Sequence, residues 1–230
     1  DGLVSLDSIK SSLKQNTVLV SVMYASNEIG TIQPIREIAQ VIRHFRKSKS
    51  PTAYCLLPIP PSDGHRFLRD PVQRRETPPG ALASYPYFHT DACQAAGALH
   101  LDVEKLGVDL LTISGSKIYG PKGVGLLYIK KGIHFKPILL GGRQEYGQRA
   151  GTEFVPGIIG LAKALELATS MALSETPRLI SLRQTLIEKL LQIAQGRIIL
   201  NGHASLRLPN NVHLSFLGLE GERLVIEGAS

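Results

Sequence analysis

The run SGSKIYGPKGVG, residues 114–125, sets Lys117 just after the apolar stretch Val108-Asp109-Leu110-Leu111-Thr112-Ile113. A strand-like run ending in small hydroxyl and glycine residues predicts a tight turn, with the amine leaving the sheet to face a pocket rather than water. A lysine so placed can form a Schiff base with a carbonyl cofactor while Ser114 and Ser116 hold a phosphate. The same run also fits a surface turn that carries a lysine. A second group lies upstream, where Asp91 precedes Gln94 by three residues. Pyridoxal phosphate needs this combination: a carboxylate against the pyridine nitrogen keeps it protonated, so the ring accepts the electron pair left when an α-proton departs. Gln94 and Asn27 can donate to the ring's phenolic oxygen. Read singly, Asp91 is equally a helix cap and Gln94 an exposed helical side chain.

These residues need a scaffold that gathers them. Val18 to Met23 reads as a buried parallel-type strand with Ser26-Asn27-Glu28 at its carboxyl end, and Leu6, Ile9 and Leu13 keep helical spacing before it. Pro34 followed by Ile35, Ile38, Ala39 and Ile42 predicts a helix. Tyr85 to Phe88 predicts a strand that delivers His89-Thr90-Asp91, and further strands are expected at 108–113 and 124–129. Strands alternating with helices argue for a mostly parallel sheet, with polar strand ends on its carboxyl edge. After Gly141-Gly142-Arg143 and Arg149-Ala150-Gly151-Thr152, one helix is expected from about Pro156 to Ala172 and a second from Pro177. Val212 to Phe216 reads as a strand, and Leu224-Val225-Ile226 begins another helix. The expected division is a large α/β domain over 1–172 and a small, truncated α+β domain over 173–230.

Composition narrows the function classes. At 230 residues and 43% hydrophobic, the chain can bury a substantial core. No signal peptide or membrane span is expected, which makes the cytoplasm the expected compartment. Cys55 and Cys93 lack metal-ligand spacing and are expected as reduced thiols. The net charge of +7 is concentrated between residues 43 and 76, where eight basic side chains stand against three acidic ones. That stretch, extended to residue 88, holds eight of the fourteen prolines, so it reads as a solvated excursion rather than a nucleic-acid groove.

Four motifs carry a resemblance: Ser26-Asn27-Glu28-Ile29-Gly30, His89-Thr90-Asp91-Ala92-Cys93-Gln94, Ser114-Gly115-Ser116-Lys117 with Ile118-Tyr119-Gly120-Pro121-Lys122-Gly123, and Arg149-Ala150-Gly151-Thr152-Glu153. In this order they resemble cysteine desulfurases of the NifS and IscS type, in the class V aminotransferase superfamily of fold-type I pyridoxal-phosphate enzymes. The resemblance covers nearly the whole chain outside an insertion at about 46–84. It implies Lys117 as the cofactor lysine, Asp91 at the pyridine nitrogen, and Gln94 and Asn27 at the phenolic oxygen. Ser114 matches a phosphate ligand, Ser116 can donate to phosphate, and Thr152 matches a residue reaching the phosphate of the partner subunit. It further implies a homodimer that takes L-cysteine, releases alanine and passes a persulfide to an acceptor or scaffold protein for iron–sulfur cluster assembly or thiolation.

The chain departs from that pattern in several places. Ser116 stands where most members have histidine, and Arg143 interrupts a usual triple glycine. The opening Asp1-Gly2-Leu3-Val4 reads as the start of a fragment, which lacks the family's amino-terminal phosphate turn and ring-stacking histidine and its carboxyl-terminal loop with the nucleophilic cysteine. Cys93 is expected to pack as a small apolar side chain rather than replace that cysteine. His89 shares a strand face with Asp91 and is read as either a nearby support for it or a satisfied buried histidine. Selenocysteine lyase and a truncated non-catalytic subunit stand as the alternatives, and the piece alone is expected to have little or no activity.

Overall fold

The computed structural model describes residues 1–48, 85–133, 135–194 and 196–228. Four strands build the main sheet: β1 (Leu19–Met23), β2 (Tyr87–Asp91), β3 (Leu110–Ser114) and β4 (Gly125–Ile129). They lie side by side in that order, the first three parallel and β4 antiparallel to β3. The register pairs Met23 with Asp91 and Asp91 with Thr112, so the carboxyl ends of β1 to β3 fall nearly level. Period-two alternation separates the faces. Phe88, Thr90, Leu111 and Ile113 are buried on one face, while Ser21, His89, Asp91, Thr112 and Ser114 line the more open one.

The covered face is packed by helices whose apolar spacing set their positions. In α1 (Leu6–Ser12), Ser5 caps the first turn by accepting from Ser8 N, and Ile9 is buried. In α2 (Ile35–Ser48), Ile35, Ile38, Ala39 and Ile42 form one buried stripe, as their i, i+3, i+4, i+7 spacing requires. The helix runs through Ser48, so residues 46–48 of the expected excursion are helical. Its remainder, with Cys55, lies outside the described residues. Between β2 and β3 the chain crosses through tight turns that bury Ala95 and Ala96 and through α3 (Val103–Leu106), capped by Asp102 and closed by Gly107 at φ 71°.

One buried ion pair ties these layers together. Asp109 is 4% exposed. Its Oδ2 accepts from Phe88 N at 2.9 Å and from the Arg46 guanidinium, which also donates from Nε and Nη2 to the Pro86 carbonyl at 2.8 and 2.6 Å. The last turn of α2 is thereby fixed to the start of β2 and to β3.

The expected break between two helices near residues 173–177 is absent. A single helix α4 (Val155–Ile193) passes through Pro177. Proline removes one i→i−4 donor, but Leu173, whose carbonyl loses that donor, lies on a solvent-exposed turn where water can replace it. α4 is long and apolar enough to cross a membrane, with a mean hydropathy of 1.3 over its most apolar window. It also carries the ion pairs Lys163–Glu166 and Arg178–Glu175 and a buried Arg183. Gly160 packs against Pro121, seating the first half of α4 beside the turn after β3. The chain then forms a small antiparallel sheet from β5 (Ile198–Leu200) and β6 (Leu214–Phe216), and ends in α5 (Gly221–Gly228).

Removing one partner of a buried pair strands the other's charge, so Arg46→Ala is expected to destabilise the fold by about 3 kcal/mol. Urea denaturation checks this, and an unchanged midpoint would contradict the role given to the pair.

Candidate active site

The carboxyl edge of the sheet brings together most of the residues the sequence singled out. Asp91 is the last residue of β2 and Ser114 the last of β3; Asn27 follows the end of β1 by four residues. Asp91 Oδ1 accepts from Cys93 N at 2.9 Å. It therefore caps the turn holding Gln94, so the capping role is realised while the carboxylate stays on the strand end. Both Asp91 and Gln94 are half-buried.

Lys117 lies on a single turn of 3-10 helix, Gly115–Ile118, a tight turn as expected. Gly115 N donates to Val124 O at 3.0 Å and Gly120 N to Gly115 O at 2.9 Å. A Cβ on Gly115 would sit 3.0 Å from Val124 O and 3.1 Å from Pro121 O, so glycine permits this close approach. Ile118 takes the buried position of the turn. Lys117, next to it, is exposed among the described residues. Ser114 Oγ and Ser116 Oγ stand 3.1 Å apart beside it, a hydroxyl pair suited to sharing an anion. Asn27 and Thr152 are also exposed, and Thr152 stands in the loop before α4.

His89 and Cys93 complete the edge. His89 is held between two hydroxyls, Ser21 Oγ at 2.8 Å from Nδ1 and Thr112 Oγ1 at 3.4 Å from Nε2, one from each flanking strand. Desolvation lowers its pKa from the ordinary 6.5, against a weaker upward pull from Asp91. The Cys93 thiol is pushed up to about 11, first by burial and then by the Asp91 carboxylate. A thiol so placed is a poor nucleophile at neutral pH, in keeping with its expected packing role.

Sequence reasoning missed three residues that support this edge from the far end of the chain. Arg183 and Arg207 are 9% and 3% exposed, and neither has a carboxylate partner among the described residues. Arg183 Nη1 donates to the carbonyls of Arg207 and Leu208, and Arg207 Nη1 donates to Asn211 Oδ1 at 2.9 Å. Asn211 Nδ2 in turn donates to Glu28 O at 2.8 Å. Their partners lie far away along the chain, so no local pattern marks them.

An α/β protein with its chemistry at the carboxyl edge of a mostly parallel sheet is the class these features define. The chain belongs to the aminotransferase class-V family, whose family model matches residues 1–49 and 83–225 and passes over the proline-rich stretch between them. It is 42% identical over 225 residues to "Cysteine desulfurase IscS" of Methanosarcina thermophila, covering 98% of this chain and 46% of that protein. Among solved structures, a NifS-like protein superposes with a TM-score of 0.77 at 30% identity, covering 99% of this chain and 52% of that one. A structure described as SspA in complex with cysteine matches with a TM-score of 0.66 at 28% identity, over 99% of this chain and 51% of its own. The chain thus spans about half the length of the curated relatives it matches. Class V aminotransferases and cysteine desulfurases are pyridoxal-phosphate enzymes, and the donor set here fits that group: a carboxylate on a strand end, paired hydroxyls and a lysine on the adjacent turn.

Two measurements check these environments. Peptide-resolved labelling with iodoacetamide at neutral pH is expected to modify Cys93 about 100-fold more slowly than an unperturbed cysteine, as its thiolate fraction requires; rapid labelling would overturn the environment assigned to it. For His89 the folded-state pKa is depressed, so its contribution to stability is present above pH 6.5 and is lost as pH falls through the folded value. His89→Gln is expected to flatten that acid-side decline in a urea titration.

Proposed function

We propose that the full-length protein is a pyridoxal-phosphate-dependent cysteine desulfurase, taking sulfur from L-cysteine and releasing alanine. The observation that carries this reading is the convergence of Lys117, Asp91 and the Ser114–Ser116 pair on one edge of the sheet, in a chain of class-V family. When bound, the cofactor supplies an electron sink for the bond broken at the substrate α-carbon. Asp91 would hold the pyridine nitrogen protonated, its carboxylate oriented by the Cys93 amide. Gln94 and Asn27 would donate to the phenolic oxygen, and Ser114 and Ser116 to the phosphate. Ser116, a neutral hydroxyl where the resemblance implies histidine in most members, would bind phosphate without a charge-assisted bond. Lys117 Nζ would anchor the cofactor and then move the proton at the substrate α-carbon.

The sulfur acceptor in this reading is a cysteine outside these residues, since the raised pKa of Cys93 leaves it largely protonated. The resulting persulfide would serve an acceptor or scaffold protein for cluster assembly or thiolation in the cytoplasm. A homodimer belongs to the same reading, with Thr152 reaching the partner's phosphate. Supporting it are the exposed apolar side chains flanking the glycine-rich loop, among them Ile138 at 95%, Leu140 at 83% and Tyr146 at 101% exposure. The division into a large domain over 1–172 and a small one over 173–230 is retained as a functional proposal, with α4 bridging the two.

Borohydride reduction of the loaded full-length protein is expected to leave the cofactor on the peptide containing Lys117. Lys117→Ala is expected to lose that label and to lower alanine release by roughly 10²- to 10⁴-fold. Label on another lysine, or retained turnover in the variant, would refute the assignment.

A further inference from the structure

The turn that carries Asn27 is not held by its own strand alone. Gly30 N donates to Ser26 O at 3.1 Å, and Ser26 Oγ accepts from the amides of Glu28 and Ile29 at 3.3 Å. The segment 201–211 then grips this turn from outside. Leu208 N donates to Gly30 O and Ile32 N to Leu206 O, both at 2.9 Å, while His203 N donates to Thr31 Oγ1 at 3.0 Å. Asn211 completes the grip by donating from Nδ2 to Glu28 O, the carbonyl immediately after Asn27. Gly30 lies so close to Asn211 that a Cβ on it would collide with the carboxamide.

The direction of the Asn211 amide is dictated by its neighbour. A guanidinium only donates, so the carboxamide oxygen must face Arg207 Nη1 and the NH₂ must face Glu28 O. Arg207 is itself immobilised, donating from Nε to His203 O at 3.1 Å and from Nη2 to Asn201 O. Arg183 holds the backbone of Arg207 and Leu208 from α4, at 3.0 and 2.7 Å. Arg183 and Arg207 are buried and Asn201, His203 and Asn211 half-buried, whereas Glu28 and Asn27 are exposed at the sheet edge.

We propose that Arg207 and Asn211 are positioning residues that set the placement of Asn27 at the cofactor edge through the Glu28 carbonyl. The proposal rests on the reading of Asn27 as a cofactor contact. Asn211→Asp separates positioning from stability: it keeps the volume and the Arg207 partner, strengthened by charge, while replacing the donor toward Glu28 O with an acceptor.

The test uses the full-length protein. In its cofactor-free form, hydrogen exchange of the amides in residues 28–32 is expected to quicken about fivefold in Asn211→Asp, the effect of one lost hydrogen bond. In the loaded form, the pH midpoint of the cofactor absorbance is expected to move by about half a unit or more, in the same direction as in Asn27→Ala. Arg207→Lys, which cannot make the same forked contacts, is expected to do likewise. A midpoint that moves in Asn27→Ala but stays fixed in both other variants overturns the proposal alone. A midpoint fixed in all three overturns the reading of Asn27, and this proposal with it.

Discussion

The Asp109 carboxylate, buried between the last turn of α2 and the start of β2, is the constraint on which the rest of the arrangement rests. Its backbone adds two ladder bonds, donating to Phe88 O at 2.8 Å and accepting from Lys130 N at 2.9 Å. One residue therefore fixes β2 against β3 and fixes the chain after β4 against both. A buried ion pair contributes little net stability compared with an apolar substitute, and its worth lies in specifying one arrangement. Here that arrangement is the register that brings the ends of β1, β2 and β3 level. A one-residue slip of β2 would turn His89 and Asp91 to the helical face and Phe88 and Thr90 to the open one. Arg46 also spans the excursion, joining the helix before it to Pro86 after it, so the sheet closes whatever lies between.

The polar edge follows from that register. Parallel strands leave their carboxyl ends unpaired at one side, and the chain spends its chemical residues there: a carboxylate on β2, hydroxyls at and after the end of β3, an amine on the following turn. Glycines at 115, 120 and 125 let that turn fold back tightly on the strand pair, each meeting backbone oxygen close at hand. The His89 ring, clamped by hydroxyls of β1 and β3, ties three strands together across the open face just beneath Asp91.

Much of this was legible because local pattern and global packing agree. The apolar runs ending in Met23, Asp91 and Ser114 are strands, the Ile35-Ile38-Ala39-Ile42 stripe is a buried helix face, and the polar residues after each strand meet on one edge. Where the reading departed from the structure, a longer-range effect decided. Pro177 reads as a helix boundary by its chemistry, yet the solvent-exposed turn around it tolerates a missing donor. Arg183, Arg207 and Asn211 carry no local mark of their role, because arginine on an amphipathic helix or in a loop is ordinarily solvated. Their partners are backbone carbonyls far away in sequence, which no periodicity records.

The contact between Asn211 and Glu28 spans 183 residues of chain. During synthesis from the amino terminus, β1 and the turn after it leave the ribosome long before the side chain that settles that turn exists. The sheet can assemble from segments already made, since its strand pairings need nothing beyond β4. The turn carrying Asn27 closes its own local bonds early, but its bonds to residues 201–211 must wait until that segment has been made. The full set of bonds on that turn is in that sense a report that the chain has been made through Asn211.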